Sequence, residues 1–192
     1  MEPKSQGPDP FAMTLPNQIT IARLVVSILL FIFIPLQLYI AALIAFVVAA
    51  GTDWVDGYLA RKHNLVTKLG RILDPFADKI LICGSFIFLA AEPASQIPAW
   101  MAVVVVGREL LVTVLRSFME EQGVDFSAKM AGKLKMVFQC AAVIMSLALL
   151  ATQPEILGWL RISTSIVAWI AVGSTVYSGI GYIITAARLL RG

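Results

Sequence analysis

The stretch GTDWVDGYLARKHNLVTKLGRILDPFADK, residues 51–79, places four aspartates, Asp53, Asp56, Asp74 and Asp78, at the inner ends of two long apolar runs. Residues three or four apart on a helix share a face. Asp53 and Asp56 therefore point the same way from the end of one helix, and Asp74 and Asp78 from the start of the next. The basic, polar segment between them, RKHNLVTKLG, reads as the connection that lets the two pairs face each other.

Working outward, the chain has 192 residues, of which 59% are hydrophobic and 14% charged, with a mean hydropathy of +0.85. A soluble domain is about half apolar and about a quarter charged, so too few polar residues are present to cover a water-facing surface. Lipid has to solvate most of the outside. Residues 1–12 are polar and rich in Pro and Gly ahead of an internal Met13, and read as an expression leader; residues 13–192 read as one membrane domain. Cys83 and Cys140 lie within apolar runs without metal-like spacing and are expected to be packed thiols.

A span needs about 20 mostly apolar residues. Six candidates meet this, at roughly 20–37, 38–60, 70–91, 97–117, 134–152 and 162–187, giving an all-α, polytopic membrane fold. Arg61, Lys62, Lys68 and Arg71, then Lys129, Lys133 and Lys135, then Arg188 and Arg191 gather on alternate connections, whereas the other connections carry only Arg161. By the positive-inside rule the basic side is cytoplasmic, with both termini there. The protein is thus expected in the inner cell membrane with the aspartates facing the cytoplasm. Before the first span, TLPNQITIARL mixes Asn17, Thr20 and Arg23 with apolar residues and predicts a short interfacial helix, either an anchor or a part of the substrate site.

A carboxylate deep in a membrane helix costs about 2.5–3.5 kcal/mol on the insertion scale, so four would cost on the order of 10 kcal/mol near the centre without compensation. Divalent metal is the economical compensation. Hard oxygen ligands with no His or Cys cluster suit Mg²⁺ or Mn²⁺, and four carboxylates suit two ions. A phosphate-bearing substrate then fits beside them. Gly57 and Gly70 leave room for a close approach, Ala60 keeps that face narrow, and Arg61 offers a guanidinium to phosphate oxygens. Plain helix-end charges account for this poorly, because Asp53 and Asp56 at a helix C-terminus oppose the macrodipole.

Asp53, Asp56, Gly57, Ala60, Arg61, Gly70, Asp74 and Asp78 together resemble the full signature of the CDP-alcohol phosphotransferases, with its upstream Asp, and no position of it is missing. The resemblance covers residues 14–190. It implies a cytidine-diphosphate donor held by two divalent cations, with Asp53, Asp56 and Asp74 as principal metal ligands. It also implies that Asp78 completes the metal shell and serves as general base, that CMP leaves, and that the protein forms a homodimer. No nucleic-acid partner is expected.

Two further segments narrow the acceptor. GRELLVTVLRSFMEEQG sets Arg108, Glu109 and Arg116 on the fourth span, and KMAGKLK brings Lys129, Lys133 and Lys135 to the start of the fifth. Lys129 reads as ordinary positive-inside charge. Arg108 lies deeper, between MAVVVV and LLVTVL, where a guanidinium needs an anion or an acid. Glu109 either orients such a pocket or pairs with a cation on another helix. LPNQITIARL, REL followed by Arg116, and GKLK resemble the bacterial phosphatidylglycerophosphate synthases. That implies CDP-diacylglycerol as donor and glycerol 3-phosphate as acceptor. It assigns the acceptor phosphate to Arg108, Arg116, Lys133 and Lys135, and donor closure to Asn17, Thr20 and Arg23. Met136 departs from the pattern, which often has Thr there. Serine, inositol phosphate or another alcohol is the rival acceptor. A transporter is the rival class, but its acids would be spread through the depth of the bundle. Ser174 and Ser178, with Gly173, Gly179 and Gly181, read as a close-packing face within the bundle or in a dimer.

Overall fold

Apolar runs broken by Pro, Gly and polar clusters become helices in the computed structural model, which describes residues 15–63, 68–122, 130–152 and 158–189. Within these, the side chains of 15–16, 53–63, 68–72, 120, 130–133 and 189 lie outside the description. The helices are α1 (Leu15–Phe33), α2 (Tyr39–His63), α3 (Lys68–Ala90), α4 (Ala99–Glu121), α5 (Met130–Ala151) and α6 (Gly158–Leu189), with one 3₁₀ turn at Pro93–Ser95. Among the described residues there is no strand. The all-α expectation holds, and each predicted span has its helix.

One expectation is corrected. The segment read as a separate interfacial helix is continuous with the first apolar helix, so α1 runs unbroken from Leu15 to Phe33. The reason is that Asn17, Thr20, Arg23 and Ser27 recur at three- and four-residue spacing and are all buried. They form one polar stripe on the same helix whose other residues are apolar, and nothing in the sequence breaks the ladder between them. The helix ends instead at residues 34–38, where Gln37 takes a left-handed φ of 58°. A second such residue, Gln96 at φ 64°, closes the 3₁₀ turn before α4.

Helix pairing divides the bundle in two. α1 packs on α2 and α3, α6 packs on α4 and α5, and the halves meet through α2 against α5 and α3 against both α4 and α5. One continuous apolar core joins them, with Leu30, Phe46, Phe86, Val105, Leu147 and Ala171 fully buried. The outside is apolar too. Val103 is 70% exposed, Trp159 66% and Ile162 64%, and a helix that is hydrophobic on every side belongs in lipid. Leu134–Ala151 and Gly158–Arg188 are long and apolar enough to cross a membrane. Many serines and threonines inside the helices return their hydroxyls to carbonyls one turn back, as Ser85 does to Leu81 at 2.6 Å, which satisfies them without water.

The same contacts fix direction. Thr20 meets Asp74 and Arg23 meets Asp78, while the Phe31 ring lies against Gly84 and stacks on Phe88. α1 and α3 therefore run parallel. At the far end the Tyr39 hydroxyl donates to Glu92 at 3.0 Å, so α2 runs back toward the beginning of α3. Asp53 and Asp78 are equally far along the chain from that bond, about 20 Å at the helical rise.

Candidate active site

The stripe on α1 explains how two of the four aspartates are held. Thr20, fully buried, donates its hydroxyl to Asp74 Oδ1 at 2.6 Å. One turn on, the Arg23 guanidinium donates to Asp78 Oδ1 at 3.0 Å, its own side chain closed from solvent while Asp78 keeps 33% exposure. A three-residue step on α1 thus matches a four-residue step on α3, the pairing that parallel helices permit. Charge-assisted bonds of this kind fix a carboxylate's orientation. Asn17, one turn before Thr20, is buried on the same stripe.

Asp53, Asp56, Gly57, Ala60 and Arg61 fall on the last turns of α2 and Gly70 on the first turn of α3; their side-chain positions lie outside the described residues. Topology brings the end of α2 and the start of α3 to one end of the bundle. Among the described residues no three metal-binding side chains converge, and Asp74 and Asp78 are half of the expected quartet. Their chemistry fits hard divalent cations, since both are carboxylates and Thr20, bonded to Asp74, is another oxygen donor.

A second polar centre lies where α4, α5 and α6 meet. Glu109 Oε1 accepts from Arg108 Nη1 at 3.2 Å and from Lys135 Nζ. Of the alternatives left open for Glu109, the pairing with a cation on another helix is observed, with Lys135, alongside one to its neighbour Arg108. Arg108 Nη2 donates to Ser178 Oγ at 2.8 Å, and its guanidinium lies 5.5 Å from the centre of the Tyr182 ring. A turn away, Gln139 donates to Thr175 at 3.0 Å. Arg108, Glu109, Lys135 and Ser178 are all buried. Arg116 is two turns further along α4, and its Nε has no hydrogen-bond partner among the described residues. The Lys133 side chain is outside the description.

The helices that carry the two centres pack together, α3 against α4 and α5. Among the described residues neither Cys83 nor Cys140 forms a disulfide, and both are half-buried where fully packed thiols were expected. Sequence reasoning missed Ser178 and Tyr182 as partners of Arg108. A lone serine among glycines in an apolar helix reads as packing until the residue opposite it is known.

Comparison with known proteins places the sequence in a family. Residues 13–177 match the family described as CDP-alcohol phosphatidyltransferase. A Bacillus subtilis protein named CDP-diacylglycerol--glycerol-3-phosphate 3-phosphatidyltransferase is 39% identical over 185 residues, covering 88% of this chain and 92% of that protein. Proteins of the same name are similar at 36% identity in Rickettsia typhi, over 88% of this chain and 94% of theirs, and at 35% in Escherichia coli K12, over 77% and 79%. With its signature carried by α2 and α3 and its relatives matched over most of their length, the chain belongs to the CDP-alcohol phosphatidyltransferase family.

Proposed function

We propose that the protein transfers the phosphatidyl group of CDP-diacylglycerol to glycerol 3-phosphate, giving phosphatidylglycerophosphate and CMP. The observation that carries this reading is a carboxylate centre on α1 and α3 together with a buried cationic centre on α4 and α5, on helices that pack directly, α3 against both α4 and α5. The names of the relatives point to the same two substrates.

The acceptor's phosphate goes to the cations. Arg108 and Lys135 hold it, with Arg116 and Lys133 at the outer side, and so turn its free hydroxyl toward Asp78. Asp78 takes the hydroxyl proton as the oxygen attacks the phosphorus distal to cytidine. A new P–O bond forms to the acceptor, the bridging P–O bond breaks, and CMP leaves with the electron pair. Asp53, Asp56, Asp74 and Asp78 would hold two ions, Mg²⁺ or Mn²⁺. When bound, such ions neutralise the pyrophosphate and stabilise charge on the leaving group. Thr20 and Arg23 keep Asp74 and Asp78 turned inward, and Asn17, Thr20 and Arg23 border the donor. Gly57, Ala60, Arg61 and Gly70 line its nucleotide side. Six spans, an inner-membrane location with the site toward the cytoplasm, and a homodimer complete the reading, supported by the charge pattern and the family signature.

An acceptor without a phosphate would leave Arg108 and Lys135 sharing only Glu109. The test is CMP release by purified protein given CDP-diacylglycerol and Mg²⁺ or Mn²⁺, with glycerol 3-phosphate, serine or inositol phosphate as acceptor. Release that depends on glycerol 3-phosphate and stops with a chelator is expected. Faster release with serine or inositol phosphate would overturn the acceptor; release untouched by chelation would overturn the metal requirement.

A further inference from the structure

We propose that Ser178 and Tyr182 on α6, with Gly179 between them, are positioning residues that hold Arg108 in the pose in which it binds the acceptor's phosphate. The inference rests on the acceptor reading above and extends it to a helix to which that reading assigns no role.

Arg108 enters the interface between α4 and α6 at a point where α6 has no side chain to meet it. A Cβ built on Gly179 would lie 3.1 Å from Arg108 Cγ, tighter than ordinary contact, so glycine is what lets the arginine stem pass. One residue before it, Ser178 donates its hydroxyl hydrogen to the Thr175 carbonyl at 3.1 Å. The hydroxyl hydrogen is thereby committed to its own helix, and the oxygen offers a lone pair to Arg108 Nη2 at 2.8 Å. Four residues on from Ser178, the Tyr182 ring sits beside the guanidinium at 5.5 Å, within cation–π range. Glu109 holds the other terminal nitrogen, Nη1.

Two terminal nitrogens bonded in different directions, with a ring alongside, fix the guanidinium plane. They also leave one group unserved. Arg108 is 8% exposed, yet its Nε has no hydrogen-bond partner among the described residues. An unpaired N–H on a buried cation is costly. The charge is unbalanced as well, because Arg108 and Lys135 converge on the single carboxylate of Glu109. A buried site with one positive charge in excess and an unpaired donor on the same guanidinium suits an anionic guest. The α6 cradle keeps that guanidinium from turning to serve itself.

The experiment measures steady-state CMP release against each substrate separately, with thermal unfolding in the same detergent as a control. Ser178→Ala should raise KM for glycerol 3-phosphate about tenfold, the worth of one hydrogen bond to a charged group. Tyr182→Leu should raise it about threefold through loss of the ring face. In both, kcat and KM for CDP-diacylglycerol should stay near those of the parent. Ser178→Thr, which keeps the hydroxyl, should restore the acceptor KM, and adding Ser178→Ala to Arg108→Ala should change it no further. If Arg108→Ala raises the acceptor KM but Ser178→Ala and Tyr182→Leu do not, the positioning role is wrong and the acceptor site stands. If Arg108→Ala leaves the acceptor KM unchanged, the acceptor site is misplaced and the inference falls with it. Equal changes in both substrates' KM, or a loss confined to folded protein, would reduce the α6 residues to packing and overturn the inference. The two variants alter different contacts, so failure of one to fold leaves the other to decide.

Discussion

Asp78 holds two positions at once: bonded to buried Arg23 on one side, it remains a third exposed on the other. That combination suits a group that must stay oriented and still reach a substrate proton. Asp78→Asn keeps the shape and removes the charge. Turnover should fall by about 10²- to 10⁴-fold, the usual contribution of a general base, while binding of CDP-diacylglycerol stays close to the parent's. CMP release and donor binding measured on one preparation, normalised to folded protein, check this. Full activity in the variant would remove Asp78 from the role of base. The residue's candidacy was legible from the signature, and so was the grouping of Asn17, Thr20 and Arg23 on one face. Their partners were not. Which carboxylate meets Thr20 and which meets Arg23 depends on how far α1 is slid and rotated against α3, and that is set by packing about two turns further along both helices.

At the scale of elements, the slide is set where α1 and α3 touch above the polar stripe. A Cβ on Gly84 would lie 2.1 Å from the Phe31 ring. The ring cannot swing aside freely, because it stacks on Phe88 at 5.1 Å with the planes 2° apart. Gly84→Ala should therefore push the helices apart, costing about 1–3 kcal/mol by overpacking. The unfolding temperature should drop, activity should fall with it, and Phe31→Leu in the same chain should recover part of both. Unchanged unfolding would show that the contact does not govern the register. The apolar runs and their Pro and Gly breaks located six helices, but α1 came as one helix where two were expected. The stripe read as an interfacial helix, an anchor or a part of the substrate site, because the sequence did not pair Thr20 and Arg23 with the carboxylates of α3.

Across the described residues apolar side chains point outward as well as inward, and in the sequence most lysines and arginines fall on alternate connections. The proposed orientation follows and is open to direct measurement. A single cysteine placed at Gln96, in a background with Cys83 and Cys140 replaced, should react with an impermeant thiol reagent added to intact cells. One placed at Lys62 should react only after the membrane is opened. The reverse pattern would invert the topology and with it the side from which substrates arrive.

The division of the bundle carries a last consequence. The carboxylates and the residues that hold them belong to α1, α2 and α3, whereas Arg108, Glu109, Lys135 and Ser178 belong to α4, α5 and α6. On the proposed reading each reactant would be gripped by a separate trio, and the seam between the trios would set the gap the attacking oxygen must cross. Small changes along that seam should leave both grips intact and spoil only the distance, so that an enzyme saturates normally with either substrate and yet turns over slowly.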